Sequence, residues 1–175
     1  MTVEREYTFV VVEVELMGVR MELPSNTPAM DLREPTGQQR ELAIFIGGPE
    51  AAAIAYALEG FRPPRPLTHD LLIEVIESLG ASLNEVAITK IEDSTFFAEL
   101  RLSRGMETMT ISCRPSDGVA VAVRTQCRIV CAEDVLEAAG KSDDDLDEAD
   151  EELSESMVEE FKQFIEQVSP EDFES

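Results

Sequence analysis

The sequence predicts an α+β fold, a mixed and mainly antiparallel sheet with helices packed on it, and three observations lead there. A Val-rich strand and a hairpin open the chain, and a three-strand meander follows in its second half. Segments with apolar residues at helical spacing lie after these strand groups, not one after each strand as a parallel α/β sheet requires. Gly and Pro punctuate the boundaries. The 175 residues, 43% hydrophobic, suffice for one core with an appendage.

Residues 7–22 alternate poorly and are rich in Val, as a largely buried strand is. Residues 30–33, the turn signal PTGQQ and residues 40–46 read as a hairpin closing on a third strand. Gly47 and Gly48 end it. Pro49 suits the first turn of a helix, where its missing N–H costs nothing, and Glu50 complements the positive helix end. That helix runs to Leu58 and stops at Gly60. Residues 61–67 contain three prolines and are excluded from regular structure. Thr68 is the expected N-cap of the next helix, whose Leu71, Leu72, Val75, Ile76 and Leu79 keep helical spacing up to Gly80.

Strand signals at 85–91, 95–102 and 107–113, joined by EDS and SRG, form an antiparallel meander. RPSD leads into 118–123, a run of small apolar residues read as a buried helix capped by Ser116. A short strand at 129–131 and a helix over 132–139 complete the domain. Two junctions are alike: IFIGGPEAAAIA at 44–55 and ISCRPSDGVAVA at 111–122 both run from strand through a proline turn and an acid into a helix of small residues. This pattern suggests an internal duplication.

The net charge of −23 is uneven, because residues 141–175 hold 15 of the 37 acids and 2 of the 14 bases, a net of −13. The body over 1–140 remains acidic, so nucleic acid would have to be met by a local arginine cluster. Residues 142–156 carry nine acids and read as an extended, self-repelling linker within the acidic stretch 141–156. Beyond it, Met157, Val158, Phe161, Phe164, Ile165 and Val168 share one face of an expected amphipathic helix over 157–168, with 169–175 as a tail. Glu159, Glu160 and Glu166 face outward where a membrane-surface helix would carry lysines, so a protein surface is its expected contact and a membrane is not. Residues 1–8 carry Glu4, Arg5 and Glu6 where a signal peptide would be apolar, and the expected location is cytoplasmic. Cys113, Cys127 and Cys131 lack CxxC spacing and sit among apolar neighbours, as buried reduced thiols do.

The stretch RPLTHD holds the chain's one histidine, His69, beside Asp70 and just after Arg65. Asp70 is explained by a helix start, but His69 is not required by it. Taken in order, GGPEAAAIAYALEG, RPLTHDLL, STFFAELRL and RPSDGVAVAVR resemble the bifunctional nuclease domain of bacterial and plant proteins, most strongly over 42–135, and the closing VSPEDF resembles actinobacterial members. The resemblance implies an α+β domain, a homo-oligomer that is expected to be a homodimer, and an activity described for plant members as cleavage of RNA and DNA. Positions resembling the family's polar set are Glu50, His69, Asp70, Arg114, Ser116 and Asp117, all at expected helix starts, where backbone N–H groups favour anions. The expected catalytic group is Glu50, His69, Asp70 and Asp117; the expected substrate-binding group is Arg65, Arg114 and Ser116. Phosphodiester cleavage also suggests a divalent cation such as Mg as cofactor, although none of the usual metal-ligand spacings is present. The chain departs from the family pattern at Ser112 for Asp, Gly118 for Ala and Phe45 for Trp. A noncatalytic adaptor, engaging a protein through the acidic tail and terminal helix, is the alternative function.

Overall fold

The structure, a computed structural model, describes residues 10–142. The chain divides between Gly140 and Lys141; the expected linker over 141–156 lies outside the described residues from 143 onward, as do the expected helix over 157–168 and the tail over 169–175. The elements run β1 (Val11–Glu22), β2 (Thr27–Arg33), β3 (Glu41–Phe45), α1 (Gly48–Leu58), α2 (Thr68–Ser78), β4 (Ser82–Glu92), β5 (Thr95–Arg104), β6 (Glu107–Cys113), α3 (Pro115–Thr125), β7 (Arg128–Ala132) and α4 (Glu133–Ala139).

Among the described residues seven strands form one sheet in the order β3-β2-β1-β7-β4-β5-β6, with β4 and β7 parallel and every other pair antiparallel. Side chains at alternate positions, among them Val14, Met30, Leu32, Ile44, Val86, Ile88, Leu100 and Ile129, form one core with Ile54, Val119, Ala122, Val135 and Leu136 of the helices. The helices therefore cover one face of the sheet. This corrects the reading of the first strand as largely buried: only Val14 of β1 is fully buried, while Glu13 and Glu15 are exposed on the other face. The hairpin is tied to α4 by buried Arg40, which donates to Glu34 at 2.8 and 2.9 Å and to Glu133 at 2.9 Å.

About β7 the order is symmetric. A three-strand meander followed by an eleven-residue helix with proline in its first two positions occurs twice, as β1-β2-β3-α1 and as β4-β5-β6-α3. β1 runs antiparallel to β7 and β4 parallel to it, so the two halves are related by an approximate twofold normal to the sheet. The helices of the two halves, α1 and α3, pack on each other. The similar stretches at 44–55 and 111–122 occupy equivalent places in these halves.

Two caps differ from expectation. Leu67, not Thr68, is the N-cap of α2, and Arg114, not Ser116, is the N-cap of α3; neither makes a side-chain cap. In α2 the acid three residues on takes over, since Asp70 Oδ2 accepts from the Leu67 N–H at 2.9 Å. Ser116 is buried in the first turn of α3.

Candidate functional site

Three helices each carry a carboxylate at the same place, the third residue after the N-cap: Glu50 in α1, Asp70 in α2 and Asp117 in α3. Each is favoured there by the free N–H groups and positive dipole of the first turn. Glu50 folds back over Gly47, where a β-carbon would collide with its carboxyl oxygen, so the glycine makes room for that side chain.

The two equivalent acids of the repeated halves meet at one arginine. Arg114 donates from Nε to Asp117 Oδ2 at 2.8 Å and from Nη2 to Asp117 Oδ1 at 3.1 Å, and Nη2 also lies 2.9 Å from Glu50 Oε1. The imidazole of His69 joins from α2, with Nε2 at 3.2 Å from Asp117 Oδ1. The side chains are graded in exposure: Arg114 is 65% exposed, Asp117 28%, Glu50 17% and His69 11%. The cluster thus has a buried base and an open, cationic top.

Burial works to raise the pKa of Asp117, but the hydrogen bonds from Arg114 and His69, and their charges, outweigh it and hold the carboxyl below its usual range. Asp117 is therefore ionised at neutral pH and accepts, which puts a proton on the Nε2 of His69. An Asp-oriented imidazole beside an accessible guanidinium can move a proton and hold a phosphate oxygen.

Of the other expected site residues, Asp70 joins a separate network: Oδ1 accepts from Arg124 Nε at 2.6 Å and Oδ2 from the Leu67 N–H. Arg65 is exposed in the loop before α2 and makes no hydrogen bond or ion pair among the described residues. Ser116 is buried beneath the cluster's first turn. Arg124, at 10% exposure, was not singled out from sequence; an arginine in the last turn of a helix reads only as a complement to the helix dipole. A small cavity of about 170 Å3, lined by Ile76, Leu83 and Val121 among others, shares no residue with the cluster.

Glu50 and Asp117 are the carboxylates that would hold a divalent cation such as Mg. The Arg114 guanidinium already bridges them, and among the described residues no three His, Cys, Asp or Glu side chains converge as metal ligands. The arrangement does not fit a metal as built. Ser112, where the family has Asp, pairs with Glu99 in the β5–β6 register, while neighbouring Cys113 and Ala98 face the helices. Its side chain is on the far face of the sheet, so this departure leaves the cluster intact. Gly118, where the family has Ala, lets α3 approach β4: a β-carbon there would lie 2.7 Å from Val86 Cγ1.

The Bifunctional nuclease domain family matches residues 31–144, which include every member of the cluster. An uncharacterized protein of Mycobacterium tuberculosis is 46% identical over 165 residues, 93% of this chain and 98% of that protein. Bifunctional nuclease 2 of Oryza sativa subsp. japonica is 29% identical over 105 residues, and Bifunctional nuclease 1 of Arabidopsis thaliana is 28% identical over the same length. These plant matches span 58% of this chain but 32% of each plant protein. Together with the helix-start cluster lying inside the matched segment, these relationships show that the chain belongs to the bifunctional nuclease domain family.

Proposed function

We propose that the protein is a nuclease that hydrolyses phosphodiesters of RNA or DNA at the Arg114–Asp117–His69 cluster. The observation that carries this reading is one carboxylate, Asp117, shared between an exposed guanidinium and the chain's one imidazole. The names of the plant relatives support the same substrate class. In this mechanism a backbone phosphate draws Arg114 from the acids and takes its N–H donors on the nonbridging oxygens. The free nitrogen of His69 accepts a proton from water as the water oxygen bonds to phosphorus; the bond to the leaving oxygen breaks, and that oxygen is protonated from solvent. Asp117 stabilises the imidazolium so formed, and Glu50 holds Arg114 between turnovers. Arg65, exposed in the loop that leads to His69, supplies a second cation for the substrate. The test is cleavage of single-stranded RNA and DNA by highly purified full chain, with and without chelator, beside His69→Ala and Asp117→Ala proteins purified identically. Activity in the wild type alone supports the proposal, and equal activity in all three refutes it.

The expected homodimer is favoured by a different observation. Leu71, Leu72, Val75 and Leu79 form an exposed apolar stripe along α2, which buries only His69 and Ile76. A second copy of the chain covering this stripe would give a homodimer. Leu72→Glu with Val75→Glu should then lower the mass in solution from dimer to monomer, and a wild-type monomer at high concentration would refute it. Among the described residues no helix is long and apolar enough to cross a membrane.

A further inference from the structure

We infer that Arg124 is a positioning residue for His69, holding the first turn of α2 so that the imidazole meets Asp117; this rests on the reading of His69 as the acid–base group. The loop before α2 is irregular and proline-rich, and α2 buries a single apolar side chain, Ile76, seven residues beyond His69. Fully buried apolar side chains therefore do little to fix the start of this helix. A polar tie fixes it. From the last turn of α3, Arg124 donates through Nε to Asp70 Oδ1 at 2.6 Å and through Nη1 to the carbonyls of Ala120 at 2.8 Å and Ala53 at 3.1 Å. One guanidinium thus joins α1, α2 and α3. The other oxygen of Asp70 holds the Leu67 N–H, so the residues on both sides of the turn are fixed and His69 lies between them. His69 Nε2 then reaches Asp117 at 3.2 Å, near the upper end of hydrogen-bond length, where a small movement of the turn breaks the contact.

His69 is the only histidine, so the imidazole 15N–1H correlation spectrum of the full chain reports one ring. In Arg124→Gln and in Asp70→Asn the ring resonances should leave their wild-type positions and approach those of Asp117→Ala, in which the acceptor is removed. Arg124→Lys should restore them only in part, because one ammonium cannot reach all three acceptors. Arg104→Gln, which breaks the exposed pair with Glu107, should leave the ring where it was. Should Arg124→Gln fail to fold, Asp70→Asn retains the arginine and its carbonyl bonds and answers alone. Ring resonances of a folded Asp70→Asn protein superimposable on wild type would overturn the inference. In cleavage assays the expected effect is a fall in kcat of about tenfold or more with KM within about twofold; a change confined to KM would also count against it. The spectrum needs no turnover, so an inactive wild type would remove the nuclease proposal and leave this positioning role separately decided.

Discussion

Glu50 and Asp117 hold the same position in the first turns of two helices related by the fold's approximate twofold, and both close on the guanidinium of Arg114. One half of the repeat has glycine, Gly47, at the N-cap where the other has Arg114. A repeated scaffold has thus produced one asymmetric centre: two equivalent anions, one cation, and a histidine brought from α2, which has no counterpart in the second half.

Replacing Arg114 by Ala should separate function from stability. The side chain is 65% exposed, so its ion pairs contribute under about 1 kcal/mol, and urea unfolding followed by circular dichroism should change little. Oligonucleotide affinity at low salt should fall about tenfold, one charge-assisted contact's worth. Arg114→Lys should recover only part, lacking the fork that now spans both oxygens of Asp117.

Gly118→Ala should destabilise the domain although it moves the sequence toward the family pattern. Helix propensity gains about 1 kcal/mol, whereas overpacking a rigid site costs about 1–3 kcal/mol. The added carbon would meet Val86 Cγ1 at 2.7 Å and Cys113 Sγ at 3.3 Å, and Val86 is fully buried in the central sheet. Thermal unfolding should therefore occur at lower temperature. Adding Val86→Ala should cost less in the Gly118→Ala background than in the wild type.

Much of this architecture was legible in local chemistry. Proline at the first turns of α1 and α3, glycine after α1 and α2, and the polar turns of the meander mark element boundaries with direct physical causes. The insertion of β7 between β1 and β4 was not legible, because strand order across long loops leaves no periodicity in the sequence. For the same reason Glu50, His69, Arg114 and Asp117 could be picked out singly as helix-start residues, but their convergence depends on the packing of α1 on α3. Arg124 was missed because its three acceptors come from three separate helices. Thr68 and Ser116 were given capping roles because the N-cap rule favours hydroxyls; in α2 the acid at the third position satisfies that end instead.

Acid should weaken the fold through the paired aspartates. Burial pushes Asp70 upward, but Arg124 and the Leu67 N–H outweigh it, and Asp117 is likewise held low. A carboxylate with a lowered folded-state pKa contributes stability that is complete above its unfolded value, about 3.9, and lost as pH falls through the folded value. Urea midpoints should drop below about pH 4 in the wild type. Asp70→Asn and Asp117→Asn should start from lower midpoints at pH 7 and show a shallower acid limb.

The thiols should be inert in the native state. Burial pushes Cys113 up to about 11 and Cys131 up to about 12, and raises Cys127 as well. A disulfide reagent at pH 8 should modify the folded protein slowly and all three thiols rapidly once the protein is unfolded in urea.

The most direct test of the cluster as a nuclease centre is the single-turnover rate of cleavage of an end-labelled oligonucleotide, measured with enzyme in excess for wild type, His69→Ala and Asp117→Asn. Loss of the proton-transferring imidazole in His69→Ala, and of the carboxylate that stabilises the imidazolium in Asp117→Asn, should each lower the rate by about 100-fold or more, with bound substrate retained because Arg114 remains. Rates equal to wild type in folded variants would contradict a catalytic role for His69 and Asp117.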